Sequence, residues 1–363
     1  MNRKIRLNRK INAVDLFCGA GGLTKGLEQA GINVNLGVDS DPACEFPYTA
    51  NNQSKFLLKA IERVNPADLE DSFDTNCVRL LAGCAPCQTF STYYPKAGPT
   101  DKRWWLLLIF SDLVKEIKPE LVTMENVPKL RKHHVFNNFI EDLDSSGYEV
   151  FHDIVNCSEY GIPQHRPRLV LLASRLGPIK LLTPKQLRWK RYTVREKIED
   201  LTPLEAGQQD KKDPLHTAAC LSDMNLKRIK ASIPGGTWRD WDPSLVASCH
   251  RKGSGKTYPS VYGRMSWDEP APTITTQFFG FGNGRFGHPE QDRAISLREG
   301  AILQSFPKSY KFVEPGKPIS RKNVGRLIGN AVPVKLGKAI GVSFQKHIEK
   351  MEIKNGGIPI QGR

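Results

Sequence analysis

The chain has 363 residues, 39% of them hydrophobic and 25% charged, which is the balance of an ordinary globular protein and not of a disordered one. No apolar stretch is long enough to cross a bilayer, the basic N-terminus lacks the apolar core of a secretory signal, and eight irregularly spaced cysteines are too few for a disulfide scaffold, so we expect no membrane association, no export and a reducing compartment. The formal net charge of +15 predicts attraction to a polyanion such as nucleic acid, with a basic protein that has no such partner as the alternative.

The first predicted elements form a β-α-β unit. A strand is predicted over 13–17, followed by a glycine turn over 18–22, a helix, and a second strand over 32–38 that delivers Asp39. The distance between the glycines and this acid is typical of a nucleoside site, in which the carboxylate accepts the ribose hydroxyls. Thr24 occupies the last position of the glycine pattern, so the dinucleotide fingerprint is incomplete and a plain strand-to-helix connection is the alternative.

A glycine-opened, proline-stiffened loop follows the next apolar run, 78–82, and presents Cys87. A thiol becomes a nucleophile where its surroundings favour the thiolate, and a loop at a strand end can provide such surroundings. The C-x-x-C spacing of Cys84 and Cys87 also fits a redox pair or half of a zinc site, and a small buried cysteine is the third interpretation. The loop alone gives these interpretations comparable weight.

Helices and strands continue to alternate along the first half of the chain. Periodicity predicts helices over 105–117 and 136–143 and strands over 121–124, 148–155 and 169–173. This alternation is typical of a doubly wound, mostly parallel α/β sheet, whose ligands bind beyond the carboxyl ends of the strands. Asp39, Cys87 and Glu125 each follow an apolar strand, so we expect them to converge on one rim of the sheet.

Two arginines, Arg166 and Arg168, stand at i and i+2 immediately before the last of these strands. In extended geometry both side chains face one side, and a pair of guanidinium groups suits carbonyl or phosphate oxygens. Two surface arginines are the alternative.

The composition changes after about residue 195. The stretch to about residue 292 is rich in glycine, proline, threonine, tryptophan and arginine, which predicts a second, smaller, irregular and strand-rich domain. A loop-rich insertion is the alternative.

Six motifs, in order along most of the chain, resemble those of the DNA (cytosine-5)-methyltransferases. They are Asp-Leu-Phe-Cys-Gly-Ala-Gly-Gly at 15–22, Pro-Cys-Gln at 86–88, Glu-Asn-Val at 125–127, Gln-x-Arg-x-Arg at 164–168, the Arg-Glu-Gly-Ala to Gln-Ser-Phe-Pro segment at 298–307, and Gly-Asn-Ala-Val-Pro at 329–333. The resemblance implies the Rossmann-like fold of class I S-adenosylmethionine-dependent methyltransferases. It implies methyl transfer to carbon 5 of a flipped-out cytosine in a specific short duplex DNA sequence, through a covalent Cys87 adduct at carbon 6.

The resemblance also implies the site residues. Glu125, Arg166 and Arg168 join Cys87 in the catalytic site, and no metal is implied. The residues implied for S-adenosylmethionine, whose product is S-adenosylhomocysteine, come from both ends of the chain: Phe17, Gly19, Ala20, Gly21, Gly22, Asp39, Ile61, Pro86, Leu106, Asn330 and Val332. One departure concerns Ala60, which stands where the family commonly has an acid that contacts the adenine amine, so that contact is missing or supplied elsewhere.

The implied domain organisation follows the motif order. It assigns 1–196 to a catalytic and cofactor-binding domain, 197–300 to a target-recognition domain, 301–328 to a hinge, and 329–363 to a C-terminal segment that returns to the catalytic domain. Within the recognition domain, glycine, aromatic or small residues flank Arg239, Arg251 and Arg264. Such neighbours let a backbone approach DNA, so these arginines are the candidate base readers.

The implied partner is double-stranded DNA. We expect a monomer in the cytoplasm of a prokaryote, paired in function, without a stable complex, with a restriction endonuclease of a restriction-modification system. One alternative is a cytosine-5 methyltransferase that acts on transfer RNA, against which the long segment between Arg168 and Arg298 argues. Another is a DNA-binding module with an inactive site, against which the presence of Cys87, Glu125 and Arg168 argues.

Overall fold

The computed structural model describes residues 10–86 and 105–354 of the chain. These residues form two compact units. The first contains the N-terminal part of the chain up to Asn156, the segment Pro167–Trp189, and the C-terminal part from Val332 onward; the second contains Cys157–Arg166 and Lys190–Ala331. The chain therefore leaves the first unit and returns to it twice.

The first unit is built on a sheet to which the described residues contribute seven strands. In chain order they are β1 (Ile11–Leu16), β2 (Asn33–Asp39), β3 (Lys55–Leu58), β4 (Val78–Gly83), β5 (Leu121–Asn126), β6 (Glu149–Asn156) and β7 (Pro167–Ser174). Their order across the sheet is β3-β2-β1-β4-β5-β7-β6. Neighbours among the first five strands pair in parallel, whereas β7 is antiparallel to both β5 and β6. The predicted doubly wound, mostly parallel sheet is confirmed, with one antiparallel strand that periodicity did not reveal.

Helices occur in both units. They are α1 (Gly22–Gln29), α2 (Glu45–Thr49), α3 (Pro66–Glu70), α4 (Trp105–Ile117), α5 (His134–Ser145), α6 (Pro184–Leu187), α7 (Arg195–Ile198), α8 (Asp223–Ala231), α9 (Ser248–Arg251), α10 (Leu297–Leu303), α11 (Arg321–Asn330) and α12 (Val334–Lys354). The helix predicted over 105–117 agrees with α4 over all of its described residues and at its C-terminal end. Among the helices in the described ranges, none combines the length and the apolar character needed to cross a membrane.

The last helix, α12, packs closely on α1 within the first unit. Glycines permit the close approach: a Cβ on Gly26 would lie 2.3 Å from the Val334 carbonyl oxygen, and one on Gly337 would lie 2.9 Å from the Leu23 oxygen. A larger residue at either position would force the helices apart. Because α1 begins at the glycine turn, this packing fixes the helix that carries the turn.

The second unit is organised without strands. Across residues 190–331, all of which the structure describes, backbone pairing is limited to isolated bridges such as those of Arg264 with Pro234 and Gly287. The expectation of a strand-rich second domain is therefore wrong. Prolines lack the N–H that a strand ladder needs, and short helices capped by side chains such as Ser222, Thr237 and Ser296 form instead.

Candidate active site

The carboxyl ends of four parallel strands meet at one edge of the sheet. β2, β1, β4 and β5 are neighbours in that order, so the ends of these strands stand side by side at the predicted rim. Asp39 is the last residue of β2, and Glu125 lies within β5, so both belong to the strands and do not follow them. Because β7 runs in the opposite direction, its first residues, including Arg168, reach the same edge.

The glycine turn between β1 and α1 adopts backbone conformations that favour glycine. Phe17, Gly19 and Gly21 have φ angles of 57°, 55° and 85°, in the left-handed region. A Cβ on Gly19 would meet nothing within 4 Å, so the turn has open space in front of it. The Gly19 N–H donates a hydrogen bond of 2.9 Å to Asp39 Oδ2, which ties the turn to the end of β2.

The Asp39 carboxylate is partly exposed and already holds two backbone groups. Oδ2 accepts from Gly19, and Oδ1 accepts from the Asp41 N–H at 2.9 Å. Burial raises the pKa of Asp39, and these backbone hydrogen bonds offset part of that rise. Each carboxylate oxygen has a second lone pair, so the group can accept further hydrogen bonds from a pair of hydroxyls. The open glycine turn and this carboxylate fit the nucleoside part of S-adenosylmethionine.

Three other residues implied for the cofactor share one apolar cluster. Ile61 is 5% exposed within this cluster, and the partly buried Phe17 and Leu106 pack against it. Ala20 is buried in the turn, Gly22 opens α1, and Pro86 is half-buried after β4. Val332 is buried in the first unit, whereas Asn330 is the exposed last residue of α11 in the second unit.

Glu125 is 3% exposed and has a neighbour at each carboxylate oxygen. Arg168 Nε lies 2.9 Å from Oε1, and the Cys84 thiol donates to Oε2 at 3.0 Å. None of the described residues donates a hydrogen bond to Oε1, so the contact with Arg168 is electrostatic only. The next residue, Asn126, donates to the Ala85 carbonyl oxygen at 3.1 Å and so ties the residues that follow β4 to β5.

Cys87 lies outside the described residues. The loop that carries it leaves the sheet at the rim, where the Cys84 N–H donates to the Leu16 carbonyl oxygen at 3.3 Å. The contact of Cys84 with Glu125 was not predicted. Its only signal in the sequence was the position of Cys84 two residues after the predicted apolar run 78–82.

Arg166 does not accompany Arg168. Its side chain is 3% exposed and donates to the carbonyl oxygens of Ile274 and Gly329, both at 2.9 Å, within the second unit. These contacts occupy the Arg166 guanidinium, whereas Arg168 lies beside Glu125, so the structure does not support the predicted shared role of the two guanidinium groups. Buried carbonyl groups require donors, and Arg166 supplies them. We therefore reassign Arg166 from the catalytic site to the scaffold of the second unit.

Two of the three candidate base readers line one cavity of the second unit. The cavity has a volume of about 420 Å³ and is lined by Trp238, Arg239, Trp241, Pro243, Val246 and Arg251. Arg239 Nη2 donates to the Lys256 carbonyl oxygen at 2.9 Å, and Arg251 Nη2 donates to that of Pro243 at 3.0 Å. Both arginines are exposed, and a guanidinium has five N–H donors, so one such contact orients the group and leaves donors for a ligand. We call this the tryptophan-arginine pocket.

The third candidate, Arg264, is a structural residue. It is 5% exposed, and its guanidinium donates to the carbonyl oxygens of Ile229, Ser232, His288 and Gln291 and pairs with Asp292. These contacts occupy the guanidinium inside the unit, so the assignment of Arg264 to base reading is corrected. The small neighbours of Arg264 suggested an approach to DNA. In the structure the Arg264 backbone instead forms isolated bridges with Pro234 and Gly287.

A buried ion pair organises the segment that contains the Arg-Glu-Gly-Ala motif. Arg293 is fully buried and donates to both carboxylate oxygens of Glu299, each at 2.7 Å. Burial alone raises the pKa of Glu299, but the Arg293 guanidinium outweighs it and the pKa ends well below its ordinary value. Glu299 also caps α10 together with Ser296. This motif glutamate therefore has a structural role.

Comparison with known proteins gives a consistent result. A family model described as C-5 cytosine-specific DNA methylase matches residues 11–346. The Type II methylase M.HgiDII of Herpetosiphon aurantiacus is 50% identical over 339 residues, which cover 93% of this chain and 95% of that protein. The Type II methyltransferase M.Sau96I of Staphylococcus aureus is 31% identical over 355 residues, covering 95% and 78% of the two chains.

Solved structures share the fold. A protein of an E. coli prophage, described as a DNA modification methyltransferase, superposes with a TM-score of 0.72 at 21% identity, covering 94% of this chain and 100% of its own. A mutant of Spodoptera frugiperda DNMT2 superposes with a TM-score of 0.64 at 18% identity, covering 94% and 99%. At these identities the similarity concerns the fold alone.

Proposed function

The chain belongs to the C-5 cytosine-specific DNA methylase family, so it is a DNA (cytosine-5)-methyltransferase, and we propose how its residues divide that reaction. The family implies S-adenosylmethionine, which supplies an electrophilic methyl group when bound. The observation that carries the proposal is the buried Glu125 carboxyl group beside Arg168, at the same rim as the glycine turn and Asp39.

The thiolate of Cys87 adds to carbon 6 of cytosine. Carbon 5 is too electron-poor to take a methyl group until a nucleophile adds next to it, and a thiolate both attacks well and can leave afterward. Glu125, as the acid, donates a hydrogen bond or a proton to ring N3, where charge develops, and Arg168 holds the O2 oxygen. After methyl transfer a base removes the carbon 5 proton and the thiolate is expelled. The target cytosine is flipped out of the duplex for this chemistry, at a cost of roughly a few kcal/mol.

The cofactor proposal assigns the ribose hydroxyls to Asp39. We expect Asp39→Ala to weaken S-adenosylmethionine binding by about 1–3 kcal/mol, because it removes charge-assisted hydrogen bonds. Isothermal titration measures the change. Asp39→Asn keeps one oxygen as an acceptor, so we expect a smaller loss.

Asp71→Ala is the control for this measurement, since it removes an exposed carboxylate of the same unit at the end of α3. It should leave cofactor binding unchanged. Asp39→Ala with wild-type affinity would remove Asp39 from the cofactor site.

We assign target recognition to the second unit, within residues 197–300, because Cys87, Glu125 and Arg168 all lie outside that segment. The catalytic and cofactor-binding role goes to 1–196, with 301–328 as a hinge and 329–363 as the returning segment. The tryptophan-arginine pocket supports the recognition assignment, since its exposed guanidinium groups suit the guanine edges of the major groove. We propose that Arg239 and Arg251 read bases there.

The proposed substrate is one short duplex sequence. Relatives named Type II methylases and methyltransferases support a modification enzyme of a restriction-modification system. We propose that it acts as a monomer in the prokaryotic cytoplasm, where it meets DNA, and pairs in function with a restriction endonuclease without a stable complex.

The test maps methylated positions by bisulfite sequencing after reaction with duplex DNA and, in parallel, with transfer RNA. We expect methylation of cytosine in one short duplex sequence and none in transfer RNA. Arg239→Ala or Arg251→Ala should relax the methylated sequence at a single position, with roughly 1–3 kcal/mol less discrimination there.

Lys252→Ala is the matched control, since it removes an exposed cation next to Arg251 that does not line the tryptophan-arginine pocket. It should leave the methylated sequence unchanged. If the arginine variants only weaken binding uniformly and flatten its salt dependence, they contact phosphates, and the base-reading assignment is wrong.

A further inference from the structure

Cys84 is the first residue after β4, and its thiol contacts the carboxyl group of Glu125 on the neighbouring strand β5. We propose that Cys84 is a positioning residue that fixes the orientation of the Glu125 carboxyl group. The inference rests on the role in methyl transfer proposed above for Glu125. Nothing in that role requires a thiol at this position, so Cys84 is a separate contribution of this chain.

The sheet order explains how the carboxyl group is held. β5 lies between β4 and β7, and one contact comes from each side: Cys84, directly after β4, at Oε2, 3.0 Å away, and Arg168 of β7 at Oε1, 2.9 Å away. Glu125 is 3% exposed, so bulk water does not compete with these neighbours. A carboxyl group contacted at both oxygens is restrained from rotating, which preorganises it for a substrate.

The thiol hydrogen bond fixes the role of one oxygen of the carboxyl group. Cys84 donates to Oε2, so Oε2 is the acceptor in this contact. Arg168 Nε lies beside Oε1, to which no described residue donates a hydrogen bond. The two contacts therefore differ in kind, and Cys84 supplies the directional one.

The test compares steady-state and single-turnover kinetics of Cys84→Ala and Cys84→Ser. Alanine lacks the donor, and we expect kcat to fall about tenfold, the effect on a rate of a hydrogen bond of about 1.4 kcal/mol. KM for DNA and for S-adenosylmethionine should stay within about twofold, because the contact orients an acid and holds no ligand. Serine retains an O–H donor and should recover most of the rate.

The matched control is Cys77→Ala, which removes the cysteine directly before β4, at the opposite end of the strand from Cys84. It should leave kcat unchanged. If Cys84→Ala does not fold, Cys84→Val takes its place, since valine fills the volume and also lacks a donor.

Three results would overturn the inference: wild-type rates in the alanine variant, serine as damaging as alanine, or a change confined to KM. Glu125→Ala separates this failure from that of the proposed function. Full activity of Glu125→Ala would refute the role of Glu125 itself. Loss of activity in Glu125→Ala combined with a silent Cys84→Ala would refute the role of Cys84 alone.

Discussion

Cys87→Ala should abolish methyl transfer and leave the protein folded, with DNA and cofactor binding intact. Alanine removes the one atom that forms the covalent bond to carbon 6, and its methyl group cannot act as a nucleophile. Methyl transfer from labelled S-adenosylmethionine to duplex DNA measures the activity. Circular dichroism and a DNA-binding titration at fixed salt establish that only the chemical step is lost.

Duplex DNA that contains 5-fluorocytosine distinguishes the nucleophile from the other cysteine of the loop. Fluorine at carbon 5 blocks the final elimination, so the wild-type enzyme should be trapped as a covalent adduct. Cys84→Ala should form the same adduct at a lower rate, and Cys87→Ala should form none. An adduct that survives in Cys87→Ala would contradict the assignment. If the two cysteines form a redox pair or half of a zinc site, both substitutions should be equally damaging.

Local periodicity predicted most of the longer elements of the first unit, but it gave no prediction for β3, α2 or α3. The predicted helix over 105–117 agrees with α4 because its apolar positions recur at helical spacing and Pro119 prevents its continuation. The position of Asp39 and Glu125 at one edge of the sheet was predictable, because successive parallel strands end at the same edge. The contact between Cys84 and Glu125, which are 41 residues apart, could not be predicted in this way, since it depends on β4 and β5 being neighbours.

Strand direction was the main feature that periodicity could not supply. Residues 169–173 predict a buried strand in either direction, and only the structure shows that β7 is antiparallel to β5. That direction brings Arg168 to Glu125. Within the sequence, the link between these residues came from family resemblance and not from spacing.

The second unit was less predictable because its order depends on side chains that satisfy backbone groups. Arg166 and Arg264 each donate to several buried carbonyl oxygens, a role that strand ladders fill in other folds. A basic residue between small neighbours has the same local sequence in a DNA contact and in such a buried role. Burial separates the two classes: Arg239 and Arg251 are exposed, and Arg264 is not.

The buried pair of Arg293 and Glu299 should carry a large share of the stability of the second unit. We expect Arg293→Met to lower the free energy of unfolding by about 3–5 kcal/mol at neutral pH, because it leaves the Glu299 carboxylate buried without its partner. The double variant Arg293→Met/Glu299→Gln removes the unpaired charge as well and should recover part of this loss. Urea unfolding followed by tryptophan fluorescence measures the change, since Trp238, Trp241 and Trp267 lie in this unit.

Lowering the pH should reduce the free energy of unfolding of the wild-type second unit in two steps. Burial lowers the pKa of His288 from 6.5 to about 4. The unfolded chain therefore binds more protons than the folded one between these values, and the free energy of unfolding falls as pH falls through this window. Glu299, whose pKa lies below its ordinary value of 4.5, adds a further loss as pH falls below that value.

The loss of unfolding free energy in Arg293→Met should depend on pH if the unpaired Glu299 carboxylate causes it. Without Arg293, the buried Glu299 gains stability by taking up a proton, so the difference from wild type should shrink as pH is lowered from 7.5 toward 5. Arg195→Ala is the control, because it breaks an exposed pair with Asp268 in the same unit and should change stability far less. A deficit that is equal at both pH values would show that lost packing, and not the unpaired carboxylate, destabilises the variant. The pair would then stabilise the unit through the volume of Arg293 and not through its charge.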